Sequence, residues 1–224
     1  MDILDFPELI AGTYGIHNLE VVSKHFAATS SAYFAEFRDR LRKAQSRLVN
    51  IPVDIVELWD QQSIYSPDES VRAHALGLYM PWIGYAAELG SECVRCDPGI
   101  LNLDDPSLTI DSYRKLVAHG QALNIKVIVE NHGKACAFPD ELVKILHASG
   151  ACALPDIGNF PDHETRIRGL KAMFPLARNI CHVKFAPAKF DLAECIGIAK
   201  EAGFEGVYSI EADDVQGVID QLTA

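Results

Sequence analysis

Four residues with metal-binding side chains recur at nearly equal spacing in the second half of the chain: Glu130, Asp156, His182 and Glu211. They are separated by 26, 26 and 29 residues, and each follows a short apolar run. Carboxylates and an imidazole are hard ligands, which suit Mn²⁺, Mg²⁺ or Co²⁺ better than they suit a zinc site of the thiolate type. Zn²⁺ is also compatible with them. Converging carboxylates repel one another unless a cation neutralises them. The pattern therefore predicts one divalent metal held by these four side chains.

The interval between these residues is the length of one strand–loop–helix unit, and this alternation extends over most of the chain. Short β-rich runs predict seven strands, at 17–22, 47–53, 92–96, 125–129, 151–154, 179–183 and 206–210. Apolar residues at helical spacing predict eight helices, at 6–11, 31–45, 66–89, 110–123, 139–148, 163–174, 190–201 and 214–222. Ser66 and Glu69 have the spacing of a capping box, with Pro67 at the first position of the third helix.

Strands that alternate with helices indicate a parallel sheet with crossover helices. We predict a single α/β domain over residues 1–224, a (β/α) TIM-type barrel, because seven strands at this spacing fit a barrel better than an open sheet. In such a barrel the C-terminal strand ends meet at one face, so the four ligands would share one pocket. No Gly-x-Gly-x-x-Gly motif follows a strand, which argues against a dinucleotide-binding fold.

The N-terminus lacks one element of an eight-unit barrel. Residues 1–5 are too few and too acidic for a convincing strand, and a helix follows at residue 6. We therefore predict an N-terminally incomplete barrel without its first strand, with a gap between the first and last strands that are present. Unpaired strand edges favour association, so we expect either a chain less soluble than one extended upstream or a homo-oligomer that covers the gap.

Composition limits the partners of the chain. It has 20 Lys and Arg against 31 Asp and Glu, a net charge of −11, whereas nucleic-acid binding needs clustered basic residues. No apolar run approaches the roughly 18 residues of a membrane span, and no signal peptide is visible. Cys93 and Cys96 have metal-knuckle spacing, but no second pair completes a zinc site. We expect a cytoplasmic protein with reduced cysteines and no nucleic-acid or membrane partner.

Four ordered motifs carry a resemblance to a known family. They are Val129-Glu130-Asn131-His132-Gly133, Pro155-Asp156-Ile157-Gly158-Asn159-Phe160, Cys181-His182-Val183-Lys184 and Tyr208-Ser209-Ile210-Glu211. These motifs resemble the sugar phosphate isomerase/epimerase family of the xylose isomerase-like barrel superfamily, which also contains endonuclease IV. The likeness covers nearly the whole chain and is much more specific for the superfamily than for a substrate.

The resemblance implies roles for the four ligands. In the sugar epimerases of that superfamily the matching residues bind one metal, and those matching Glu130 and Glu211 also form the acid/base pair. Chemistry supports these roles, because a metal that holds two vicinal oxygens of a hydroxy-ketone acidifies the intervening C–H and stabilises the enediolate. Two carboxylates on opposite sides of the substrate can then remove and return the proton.

Three positions depart from the pattern of the sugar 3-epimerases. Cys136 stands where they have an acid, Asn159 where they have a histidine and Ala188 where they have an arginine. Endonuclease IV also needs that histidine for its metal cluster. The resemblance thus supports a metal centre but neither ketose 3-epimerisation nor DNA repair.

Further candidates lie at or just beyond the strand ends. Arg95 and Lys184 would hold a carboxylate, phosphate or oxyanion of the substrate, or else pair with the ligand carboxylates. His132 either points into the barrel mouth or has no role, and Asn159 is the fourth candidate for substrate binding. Glu20 ends an early strand and is a candidate partner of the ligands.

Three functions remain open at this point. The first is a metal-dependent isomerase or epimerase of a small sugar, polyol or hydroxy-keto acid, acting by proton abstraction next to a carbonyl. The second is a metal-dependent lyase, an inosose- or dehydroshikimate-type dehydratase, which shares the metal and the proton abstraction but loses water. The third is a non-catalytic or incomplete barrel paralogue, against which the intact set of four ligands argues.

Overall fold

The computed structural model describes residues 2–58, 63–184 and 186–223. In these ranges eight α-helices alternate with seven β-strands, as predicted. The helices are α1 (Phe6–Tyr14), α2 (Ser31–Lys43), α3 (Glu69–Leu89), α4 (Ser107–Ala122), α5 (Pro139–Ser149), α6 (His163–Met173), α7 (Leu192–Glu201) and α8 (Val215–Thr223). The strands are β1 (Asn18–Glu20), β2 (Arg47–Val53), β3 (Cys93–Cys96), β4 (Lys126–Glu130), β5 (Cys152–Leu154), β6 (Ile180–Val183) and β7 (Val207–Ile210).

All strand pairs are parallel and follow the order of the chain. Strands β1 to β5 form one sheet, and β6 pairs with β7 in a second. Two isolated bridges, Ala153–Ala177 and Asp156–His182, continue the pairing from the β5 side to β6. The seven strands thus follow one another around a TIM-type barrel, and the predicted fold class is confirmed.

Local sequence explains where most helices begin and end. The side chains of Ser30, Asp162 and Asp191 accept hydrogen bonds from backbone N–H groups in the first turns of α2, α6 and α7. Gly90 and Gly150 end α3 and α5 in the left-handed conformation, at φ of 76° and 80°.

The predicted start of the third helix is wrong. Helix α3 begins at Glu69 rather than at Pro67, and its N-cap is Asp68, whose carboxylate accepts the Ser70 N–H at 2.8 Å. Asp68 is an equally good cap and lies nearer the apolar run, so it takes the place predicted for Ser66. Pro67 precedes the helix.

Two apolar clusters hold the barrel together. A small cluster fills the barrel interior with side chains from five successive strands: Val49, Cys93, Ile128, Leu154 and Ile180. A much larger cluster lies between the strands and the surrounding helices and includes Cys96. Cys93 and Cys96 therefore belong to opposite faces of β3, as expected for residues three apart on a strand.

The first and last strands of the barrel are neighbours, and Ser209 Oγ on β7 donates to Glu20 Oε2 on β1 at 2.6 Å. Backbone pairing does not join β1 to β7 within the described ranges. The groove between β1 and α1 on one side and β7 and α8 on the other is called the seam below. Its lining includes the apolar side chains of Phe6, Ile10, Ile219 and Leu222. The gap expected from a missing first strand stays a prediction.

None of the helices in the described part of the chain is long and apolar enough to cross a membrane.

Candidate metal centre

The four predicted ligands meet at the C-terminal mouth of the barrel. Glu130 is the last residue of β4, Asp156 follows β5, His182 lies in β6 and Glu211 follows β7. One ligand atom from each side chain lies within 4.8 Å of the other three. Atoms that each lie about 2.0–2.6 Å from a single ion are separated by distances of this order. The residues therefore fit one shared metal.

Asp156 offers a buried oxygen with no hydrogen-bond partner among the described residues. Its Oδ1 accepts the backbone N–H groups of Gly158 at 2.7 Å and Asn159 at 3.1 Å. Its Oδ2 is buried and lacks a hydrogen bond, although Lys184 Nζ lies 3.1 Å away. This buried oxygen is therefore held by an ion pair alone, and a metal ion beside it would complete its coordination.

Asn131 fixes the backbone of Asp156. Its side chain accepts the Asp156 N–H at 2.7 Å and donates to the Asp156 carbonyl at 3.0 Å. Sequence reasoning missed this contribution of Asn131. The sequence signal was the position of Asn131 directly after Glu130. Glu130 ends β4, and β4 lies next to β5, the strand that Asp156 follows.

Glu130 is buried among donors. Its Oε2 accepts a hydrogen bond from Arg95 Nη1, and its Oε1 accepts one from Asn159 Nδ2 at 3.1 Å. Burial opposes ionisation of Glu130, but the charges of His182 and Arg95 outweigh it and lower the pKa of this carboxyl far below its usual range. Glu130 is therefore an ionised ligand at neutral pH.

His182 stands between two sets of carboxylates. Its Nδ1 lies 3.3 Å from Glu130 Oε1, 3.4 Å from Glu211 Oε2 and 3.8 Å from Asp156 Oδ2. Its Nε2 faces Glu20, with 3.0 Å to Oε1 and 2.9 Å to Oε2. Burial acts to lower the pKa of His182, but the charges of Glu20 and Glu130 raise it well above the usual value. The candidate partner Glu20 thus contacts a ligand.

The charges around the mouth favour a divalent cation. Burial and the neighbouring Glu130 raise the pKa of Asp156 above its usual value. The hydrogen bond and charge of His182 lower the pKa of Glu211. Once Asp156 and His182 have lost their protons, four carboxylates, counting Glu20, face two charged bases, Arg95 and Lys184. A doubly charged ion would neutralise the difference.

The candidate substrate residues surround the same centre. Lys184 Nζ donates to Asn159 Oδ1 at 2.7 Å and lies 3.5 Å from Glu211 Oε2, so both Lys184 and Asn159 contact the ligand cluster. Arg95 pairs with Glu130, the second of the two arrangements expected for it, while its buried Nε has no hydrogen-bond partner within the described ranges. His132 is half exposed and lies 2.7 Å from Asp97 Oδ2 through Nδ1.

One cavity joins the centre to the seam. It has a volume of about 1090 Å³ and is lined by Glu20, Arg95, His132, His182 and Glu211 at the mouth, together with the apolar seam residues. Its size is sufficient for a small sugar-like molecule.

Comparison with solved structures agrees with the barrel assignment. No protein-family model and no curated protein matches the sequence. A xylose isomerase domain protein from Planctomyces limnophilus is 16% identical and aligns over 96% of this chain and 89% of its own, with a TM-score of 0.76. The D-psicose 3-epimerase of Clostridium cellulolyticum H10 is 14% identical over 94% of this chain and 79% of its own, with a TM-score of 0.77.

A third similar structure is the 3-keto-D-glucoside 4-epimerase of E. coli, which is 14% identical. It aligns over 99% of this chain and 93% of its own, with a TM-score of 0.74. At these identities the likeness establishes the fold. The predicted resemblance to the xylose isomerase-like barrels is therefore confirmed at that level.

Proposed function

We propose that this protein is a metal-dependent isomerase or epimerase of a small sugar, polyol or hydroxy-keto acid. The observation that carries the proposal is the convergence of Glu130, Asp156, His182 and Glu211 at the mouth of a barrel similar to sugar epimerases. Mn²⁺, Mg²⁺ or Co²⁺ best matches three carboxylates and one imidazole. When bound, such an ion polarises a carbonyl and stabilises an enediolate.

In this proposal Glu130 and Glu211 move the proton. Glu130 ends strand β4 and Glu211 follows strand β7, so they approach the mouth from strands three apart. The Glu130 carboxylate is held in place by hydrogen bonds from Arg95 Nη1 and Asn159 Nδ2, which orients it at the cluster. Glu211 is 58% exposed and can exchange its proton with solvent. Asp156 and His182 serve as ligands only.

Arg95, Lys184, Asn159 and His132 are the proposed substrate-binding residues. The free Nε of Arg95 and the ammonium of Lys184 are donors beside the ligand cluster. Either would bind a hydroxyl, carboxylate or oxyanion of the substrate. His132 lines the cavity from the β4 side, while its pairing with Asp97 raises its pKa and favours the imidazolium, a donor.

The reaction can be tested with the metal-loaded protein in D₂O. Ketoses, inososes and hydroxy-keto acids would be incubated with it and followed by NMR. We expect solvent deuterium at the carbon next to the carbonyl and a product of unchanged composition. Loss of water would instead identify the dehydratase, and a protein that binds Mn²⁺ but exchanges no substrate hydrogen in this panel would contradict the proposal.

Variants of the two glutamates test their roles. At saturating Mn²⁺, Glu130→Gln and Glu211→Gln should each abolish turnover, while one of them still exchanges substrate hydrogen, because only one half of the relay is broken. Glu141→Gln is the control, since Glu141 lies on α5 in an ion pair with Lys144. Full activity of both site variants would remove Glu130 and Glu211 from the acid/base role.

A further inference from the structure

We infer that Glu20 is a positioning residue of the metal centre, which holds His182 so that Nδ1 is the ligand nitrogen. The inference rests on the proposed metal site. Glu20 is the last residue of β1, and His182 lies on β6, 162 residues away in the chain. Both oxygens of the Glu20 carboxylate lie within 3.0 Å of His182 Nε2.

The surroundings of Glu20 fix its carboxylate in place. Asn50 Nδ2, from β2, donates to Oε1 at 2.5 Å, and Ser209 Oγ, from β7, donates to Oε2 at 2.6 Å. The Glu20 side chain is only 12% exposed. Two donors from two other strands thus hold the carboxylate in one orientation against His182, with each of its oxygens accepting a hydrogen bond.

An ionised carboxylate decides which nitrogen of His182 carries the proton. A carboxylate only accepts hydrogen bonds, so the nitrogen that faces it must be N–H. In neutral His182 the proton is then on Nε2, and the lone pair is on Nδ1. That nitrogen faces one oxygen each of Glu130, Asp156 and Glu211. Carboxylates that hold a ligand histidine in this way orient the ring and increase its basicity.

Glu20 also links the two strand edges of the seam, through its hydrogen bond to Ser209. A loss of metal affinity in a Glu20 variant would therefore have two explanations, a released His182 or a loosened seam. Ser209→Ala separates them, because it removes the link to β7 and leaves the contact between Glu20 and His182 intact.

The test combines Mn²⁺ titration with the protonation of His182. Glu20→Gln should weaken Mn²⁺ binding about 10–100-fold, as expected for the loss of an outer partner of a ligand. Ser209→Ala should weaken it much less, because Asn50 still holds the Glu20 carboxylate against His182. In the Mg²⁺-loaded wild type, ¹⁵N NMR of His182 should show the proton on Nε2. Glu20→Gln should reduce that preference, and Ser209→Ala should not.

Several results would overturn the inference. One is an Mn²⁺ affinity of Glu20→Gln equal to that of the wild type, and another is an equal loss of affinity in Glu20→Gln and Ser209→Ala. The third is a proton on Nδ1 of His182 in the Mg²⁺-loaded wild type. The ¹⁵N NMR measurement uses the wild type, so it tests the role of Glu20 even if Glu20→Gln does not fold. Failure of the wild type to bind Mn²⁺ would overturn the metal centre as well, whereas the other results overturn the role of Glu20 alone.

Discussion

The ligands on the closed side of the barrel differ sharply from the ligand beside the seam. The side chains of Glu130 and Asp156 are 1% and 0% exposed, and that of His182 is 5% exposed. Glu211 is 58% exposed, although it belongs to the same cluster. Three of the candidate ligands are thus buried in the barrel, while the fourth, Glu211, lies in the wall of the seam.

The strands that carry these ligands show the same contrast. Every residue of β6 is buried, whereas every residue of its neighbour β7 is only partly buried. The difference arises because β7 has a paired strand on one side and the seam on the other. The comparison teaches that the lack of a backbone ladder between β7 and β1 affects the site as well as the sheet, since the seam leaves Glu211 exposed.

The largest expected effect is the loss of metal on removal of a buried ligand. His182→Ala should weaken Mn²⁺ binding by more than about 100-fold, beyond the loss typical of an outer-shell partner. Glu211→Ala should weaken it less, because water can reach the exposed position and replace the carboxylate. Elemental analysis and Mn²⁺ titration measure both. Equal metal content in His182→Ala and the wild type would contradict the assignment, and equal losses in the two variants would contradict the contrast.

The second effect concerns the buried ion pair of the closed side. Arg95→Met should destabilise the metal-free protein by about 1.5–3 kcal/mol, because it removes a charge-assisted hydrogen bond from buried Glu130, which keeps its contacts with His182 and Asn159. Lys144→Met is the control, since its pair with Glu141 is exposed and is worth about 0–1 kcal/mol. Urea unfolding gives both values. A loss of under about 1 kcal/mol for Arg95→Met would show that the pair contributes little.

The third effect is the dependence of metal binding on pH. Asp156 and His182 have raised pKa values, and both must lose a proton before they bind an ion. Protons therefore compete with the metal at lower pH, and Mn²⁺ affinity should rise with pH by about tenfold per unit for each proton released. Calorimetry in buffers of different ionisation heat counts these protons. An affinity that is constant between about pH 6 and 8 would contradict the competition.

The smallest effect is expected at the seam. The edges of β1 and β7 and the apolar lining of the groove favour self-association, so the wild type should form oligomers in sedimentation experiments. Ile219→Asp, in the lining, should shift the protein towards monomer. Leu123→Asp should not, because Leu123 is 39% exposed and lies outside that lining. A wild type that stays monomeric at high concentration would contradict this prediction.

Sequence reasoning alone located the elements and the four residues that meet at the mouth. Apolar runs and helical periodicity are local signals, so the number and order of strands and helices followed from them, within a few residues at the ends. The third helix shows the limit, because Ser66 and Asp68 are both good N-caps and the chain pattern did not separate them. A barrel places successive strand ends around one axis. The nearly equal spacing of Glu130, Asp156, His182 and Glu211 was therefore enough to predict that they meet.

Only the tertiary structure decided how the ligands are supported. Three pairs join residues at different strands: Arg95 with Glu130, Glu20 with His182 and Asn131 with Asp156. Sequence reasoning left each of these pairs open or did not notice it. The exposure of Glu211 likewise depends on what lies beside β7. Such contacts are set by strand register and barrel closure, which depend on the packing of the whole molecule and leave no periodic trace in the chain.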